Sequence, residues 1–197
     1  MKNTRIMKSI VKTSFKILSL VALLLISTGM QAQKTVNLKP DAQEYVVKGT
    51  STLHDWHMTS NEAKGFVTVS MIDGVPNFTG SEITLLAETL KSGKKGMDKN
   101  AYKALKTDEY ESIEFVLNHC TMESAVLGKA TAELTIAGFS RDVIFDIQVE
   151  QSGNAFTVKG TTDFHLTDFQ IDPPTALMGT IKTGDEVTIE FKATFQN

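Results

Sequence analysis

Residues 51–60 read STLHDWHMTS and hold the densest chemistry in the chain: His54, Asp55, the single Trp56 and His57. Two imidazoles and a carboxylate this close could ligate a metal or pass a proton. A zinc site needs three or four protein ligands. On a regular strand the odd spacing of His54 and His57 sends them to opposite faces. Only His119, His165, Cys120 and scattered carboxylates remain to complete a set, and His165 falls on the polar side of its segment with Thr161 and Asp163. No metal ligand is therefore assigned. Nucleophilic chemistry is no better served. The chain has no G-x-S-x-G elbow, no H-E-x-x-H and no G-x-x-x-x-G-K, and no nucleophile is paired with the two histidines. No catalytic residue and no cofactor are assigned, and a histidine-dependent enzyme or metal site at 54–57 is the lesser reading.

Three other stretches carry candidate chemistry. Cys120 is the one cysteine, so no disulfide forms within the chain. Within the strand-like run SIEFVLNHC it reads as a small buried apolar group rather than a reactive thiol, which would need an electropositive, exposed setting. Lys91, Lys94, Lys95, Lys99, Lys103 and Lys106 fall within sixteen residues. They form a solvated loop or a peripheral contact with an anionic membrane surface. DPPTALMG (172–179) is a loop stiffened by Pro173 and Pro174, either a lid or a long crossover.

The elements that must carry these groups read as strands. EVTIEFKATF puts Val187, Ile189, Phe191, Ala193 and Phe195 on one face and Glu186, Thr188, Glu190, Lys192 and Thr194 on the other. DVIFDIQVE, KATAELTI, FTVKGTTDFHL, SIEFVLNH and EITLLAET alternate likewise; YVVKGTSTL and FVTVSMI do so less cleanly. Such alternation marks one buried and one wet face, and so antiparallel sheet. Turn signals at 61–65, IDGVP, AGFSR and QSGN separate the runs. About eight strands with one apolar face must close into a barrel or fold into a sandwich. MDKNAYKALKTDEY breaks the pattern and predicts a short helix near 98–107, with Asp98 as its N-cap.

Residues 1–32 stand apart. Lys2, Arg5, Lys8, Lys12 and Lys16 precede an apolar run from Ile17 to Ile26 and a small-residue exit at Ala32. This pattern predicts a signal peptide cleaved near Ala32, because the run is far shorter than the roughly 20 residues that span a bilayer. The domain is then 33–197, exported to a periplasmic or extracellular space. Removing the leader's five bases from 20 leaves 15 against 23 acids, a net charge of −8. An acidic domain of this kind argues against nucleic acid as a partner. Oligomeric state stays open, a dimer included.

Four segments resemble the YceI-like family. GKATAELTIAGFSRDVIFDIQV matches its strand–turn–strand pattern "G-x-L-T-I-x-G", through Gly128, Leu134, Thr135, Ile136, Gly138 and Val143. MDKNAYKALKTDEYESIEFVL resembles its short helix, aromatic and strand, although the family's "Y-P-x-I-x-F" here lacks the proline: Tyr110, Glu111, Ser112, Ile113, Glu114, Phe115. DFHLTDFQIDPPTALMGTIKTGDEVTIEF and VVKGTSTLHDW resemble one variant's last third and first strand. The match covers 44–195. It implies an all-β, lipocalin-like antiparallel barrel of about eight strands that holds a hydrophobic, isoprenoid-type lipid in its interior.

On that reading the inward, ligand-facing set is Leu53, Trp56, Leu85, Phe115, Leu117, Leu134, Ile136, Phe145, Ile147, Phe164, Leu166, Ile189 and Phe191. Ala87, Ala130, Ala132 and Gly160 would leave room for a chain. The alternation alone fits a filled core, acting as a structural or protein-interaction module, equally well. The resemblance favours the ligand.

Overall fold

The computed structural model describes residues 33–197. The expected leader lies outside the described residues. Gln33–Asn197 forms one compact unit.

The strands are β1 (Lys34–Ser51), β2 (Trp56–Ser60), β3 (Lys64–Ile72), β4 (Val75–Leu86), β5 (Ser112–Met122), β6 (Leu127–Ile136), β7 (Phe139–Ser152), β8 (Ala155–His165), β9 (Thr175–Ala176) and β10 (Ile181–Gln196). Every pairing is antiparallel. Eight strands run in the order β1-β3-β4-β5-β6-β7-β8-β10, and β10 pairs back onto β1 to close the barrel. Closure removes the sheet edges that an open sheet would leave unpaired. Short β2 and β9 add to β1 and β10 at one end.

Strand β1 is long enough to serve two partners beside β10. Its first residues, Lys34–Asn37, pair with β3, and Tyr45–Gly49 pair with β2. Pro40 lies between, where the register with β10 shifts, as expected of a residue that cannot donate to a ladder. At this corner the Gln43 side chain stands in for backbone: it donates to the Ala63 carbonyl and accepts from the Ala63 amide, both at 3.0 Å.

A bulge in β5 decides which side chains reach the interior. Strict alternation from Phe115 and Leu117 would carry His119 inward. The register shifts between Leu117 and His119 instead. His119 is exposed, its Nε2 2.9 Å from Thr121 Oγ1, and Cys120 turns inward as one of the buried core residues. One extra residue in one strand changes the parity of everything after it.

The helix α1 (Lys95–Leu105) starts three residues earlier than the sequence predicts, and Lys94 is its N-cap. Asp98 lies within the first turn and accepts from the Ser92 amide (2.8 Å) and hydroxyl (2.5 Å), tying the preceding loop to the helix. Tyr102 anchors the helix by donating toward the Leu90 and Glu88 carbonyls at 2.7 and 3.0 Å.

Candidate functional site

Inside the barrel lies an apolar cavity of about 130 Å³. That is close to the roughly 150 Å³ that takes up a benzene-sized molecule in an apolar protein interior. A longer chain can enter only by moving wall side chains. Eight of the predicted residues line it: Leu85 from β4, Phe115 and Leu117 from β5, Leu134 from β6, Phe145 and Ile147 from β7, and Ile189 and Phe191 from β10. Their alternation along each strand brings them to one surface.

A row of rings forms part of the wall. Phe115 and Phe145 meet edge-to-face with centroids 5.6 Å apart, and Phe145 meets Phe191 at 5.8 Å. Tyr45 stacks on Phe191 at 6.3 Å, its ring tilted by 25°. The Phe191 ring occupies the place where Gly160 has no side chain. A Cβ built on Gly160 would lie 2.3 Å from Phe191 Cε1.

Five predicted residues lie elsewhere. Ile136 and Phe164 are buried but do not border the cavity. Phe164 packs edge-to-face on Phe169 at 4.9 Å. Leu166 opens the 3-10 turn Leu166–Phe169, and that turn with Ile171 fills one end of the barrel. Leu53 does not point inward. Strand β1 ends at Ser51, whose hydroxyl accepts from the Leu53 and His54 amides at 3.2 Å and donates to the His54 carbonyl at 2.7 Å. A serine hydroxyl competing for backbone in this way ends the ladder and leaves Leu53 64% exposed. Trp56 lies outside the cavity, over Gly49, where a Cβ would come within 2.4 Å of its ring, and its Nε1 donates to the Thr50 carbonyl at 2.8 Å. Among the small residues, Ala130 borders the cavity; Ala132 and Ala87 are buried away from it.

The wall also includes residues outside the predicted set. Tyr45 and Val47 come from the segment of β1 whose faces alternate poorly, Phe78 and Ile83 from β4, and Cys120 from beyond the bulge. The pairings Tyr45 with Phe191 and Val47 with Ile189 place the two β1 residues on the inner face. The spacing of Tyr45 and Val47 was the available signal. Burial pushes the Cys120 thiol up to about 11. It stays protonated, and its Sγ rests 4.0 Å from Met122 Sδ.

The histidines of 54–57 take local roles. His54 Nδ1 lies 2.6 Å from the Asp55 carbonyl oxygen. His57 is exposed on β2, paired in register with Lys48.

Outside the barrel, a shallow cleft joins Leu53, Trp56, Met97, Leu177 and Met178. Leu177 is 72% exposed and Met178 fully so. Both have left-handed backbone, with φ of 49° and 55°, a conformation costly for branched or bulky residues. The charged side chains bordering this cleft are Lys94 and Lys99, with His54 beside them. Proline-stiffened 172–176 leads into it, and Thr183 N donates to the Pro174 carbonyl at 3.1 Å. The segment is thus a crossover from β8 to β10 that also shapes the cleft.

A closed eight-stranded antiparallel barrel around an apolar cavity defines a lipocalin-like barrel. The model of the YceI-like domain matches residues 31–195, and the chain belongs to the YceI-like family. The fold is similar to BcnA of Burkholderia cenocepacia, with a TM-score of 0.67 and 15% identity over 80% of this chain and 98% of that one. It is also similar to a polyisoprenoid binding domain from Saccharophagus degradans implicated in plant cell wall breakdown, at 0.60 and 12% over 82% and 97%. The Campylobacter jejuni YceI protein matches at 0.56 and 15% over 66% and 80%. At these identities the likeness is one of fold. No curated protein matches the chain closely enough to count as a relative.

Proposed function

We propose that this protein is an exported carrier that holds an isoprenoid-type lipid in its barrel and releases it unchanged. The observation that carries the reading is the cavity itself: a closed barrel whose interior keeps a void walled by Leu85, Phe115, Leu134, Phe145, Ile147 and Ile189. Natural interiors are packed to the density of organic crystals, and an apolar void of this size is a place for an apolar guest. Each Å² of guest surface removed from water contributes about 25 cal/mol. A prenyl chain is slim, branched only by methyl groups, and needs no polar partner along its length. The polyisoprenoid binding domain of similar fold supports the choice of ligand.

Native mass spectrometry and lipid extraction of protein purified from its own compartment test the reading. The expected result is an adduct that extracts as a prenyl lipid. A clean ligand-free mass, with no uptake of added prenyl alcohol, overturns it. Export is tested on the same sample, whose first residue is expected to be Gln33.

The carrier reading extends to where the cargo is exchanged. The exposed Leu53, Leu177 and Met178 share a cleft with Lys94 and Lys99, and none of the ion pairs in the described residues involves a lysine of 91–106. Apolar tips with free cations beside them suit an anionic bilayer surface.

A further inference from the structure

This inference rests on the cavity being a ligand site, as proposed above. The wall is almost wholly hydrocarbon; its polar side chains are Tyr45, Ser81 and Cys120. Tyr45 is the exception in kind. Its hydroxyl is buried and, among the described residues, is the one such side-chain oxygen or nitrogen without a hydrogen-bond partner. Burial raises its pKa above the ordinary phenol value, so it remains a protonated donor at physiological pH. Native interiors rarely keep an unpaired hydroxyl, and one that persists calls for an explanation. Phenylalanine would fill the same volume and stack on Phe191 equally well. Water is a poor partner here, because a buried water needs about two to four polar neighbours and the only other polar side chains of the lining are Ser81 and Cys120. An oxygen tethered to an apolar body needs only one donor, since burial of the rest of the molecule holds it in place.

We infer that Tyr45 Oη donates a hydrogen bond to an oxygen of the bound molecule, so that the barrel selects an apolar chain bearing a carbonyl or hydroxyl over a bare hydrocarbon. Tyr45 is then a specificity-determining residue, and the oxygen of the ligand lies beside the Tyr45–Phe191 stack. Recognition by one donor in an apolar wall discriminates because the ligand lacking the oxygen leaves that donor unpaired.

The test compares geranylacetone, a short prenyl ketone, with the hydrocarbon of the same skeleton. Both are titrated into the wild-type protein and Tyr45→Phe by native mass spectrometry, with thermal melting as a check on folding. The wild type is expected to favour the ketone about tenfold. Tyr45→Phe is expected to lose the ketone preference, binding the two compounds alike, and to melt no lower than the wild type. An undiminished ketone preference in Tyr45→Phe overturns the inference and leaves the carrier reading standing. A folded variant that takes up neither compound also overturns it, because the loss is then not specific to the oxygen. Wild-type protein that takes up neither compound overturns the carrier reading and this inference with it.

Discussion

The two ends of the barrel are built differently. At one end the strands turn back within a few residues, at Asp73–Gly74, Glu123–Val126 and Gly153–Asn154. At the other end lie the Thr52–Asp55 bend, the 87–111 segment with α1 and the long crossover 166–180, together with the short connections at 61–63 and Ala137–Gly138. Both ends are filled: Phe78 meets Phe156 edge-to-face at 6.0 Å near the tight turns, and Phe164 meets Phe169 at 4.9 Å beneath the crossover. Both ends also expose apolar side chains. Ile72, Val126 and Leu127 at the tight-turn end neighbour Asp73 and Glu123, whereas Leu53, Leu177 and Met178 neighbour Lys94 and Lys99. Hydrophobic exposure therefore does not distinguish the ends; the nearby charge does, mixed where Leu127 shares a cleft with Asp146 and Lys159 and cationic beside Leu53, Leu177 and Met178, as does the length of the longest connections. The tight turns fix the register of the barrel, and the long connections carry α1 and the exposed Leu177 and Met178.

The largest expected effect tests whether the long-connection end is a packed plug or a loose cover. Phe169→Ala is expected to cost about 3–5 kcal/mol in urea denaturation, as is Phe156→Ala at the opposite end. A loss below about 1 kcal/mol for Phe169 alone would make its turn a mobile cover and deepen the contrast between the ends. Two glycines sharpen the picture at the next level. Gly160→Ala and Gly49→Ala each drive a methyl into an aromatic ring, and each is expected to cost about 1–3 kcal/mol. Gly160→Ala displaces Phe191 from its place at the cavity wall and should abolish ligand uptake. Gly49→Ala displaces Trp56 on the outside and should leave uptake intact. Equal uptake by the two variants would break the assignment of inside and outside.

Exchanging both Leu177 and Met178 for serine is expected to change stability by no more than about 0.5 kcal/mol while removing co-sedimentation with phosphatidylglycerol vesicles. The matching exchange of Val126 and Leu127 should leave sedimentation unchanged. Identical behaviour of the pairs would erase the proposed difference between the ends.

The smallest effect is in acid. Asp185 accepts from the Thr167 hydroxyl at 2.7 Å and amide at 3.0 Å, and these bonds hold its pKa below the usual carboxylate value. A depressed folded-state pKa contributes stability that is present above the unfolded value, near 3.9, and is lost as pH falls through the folded one. Amide exchange at 167–169 should therefore rise below about pH 4, while the tight turns at 73–74 and 153–154 keep their protection. Uniform loosening of all three would show that the carboxylate does not hold the plug.

The cavity wall was legible where strands alternate without interruption. Leu134, Phe145, Ile147, Ile189 and Phe191 follow from period two in β6, β7 and β10, because a pleated strand with one dry face admits few other patterns. It was not legible where the chain changes parity. The β5 bulge turns His119 out and Cys120 in, and Ser51 ends β1 before Leu53 can reach the interior. Nor does alternation separate a wall residue from a plug residue. Ile136 and Phe164 face inward as predicted, yet stand at a level of the barrel that the 166–169 turn fills.

The sequence by itself determined the all-β class, the antiparallel pairing, the short helix and most of the inward faces, since each follows from local periodicity and turn chemistry. Tertiary structure alone decided the closure of β1 onto β10, the height at which the barrel is hollow, and the unpartnered hydroxyl of Tyr45 beside that hollow. The closure joins residues more than a hundred positions apart, and the hollow is bounded by side chains from strands all along the chain. Space left or filled at such contacts is a property of packed volumes, which no local pattern records.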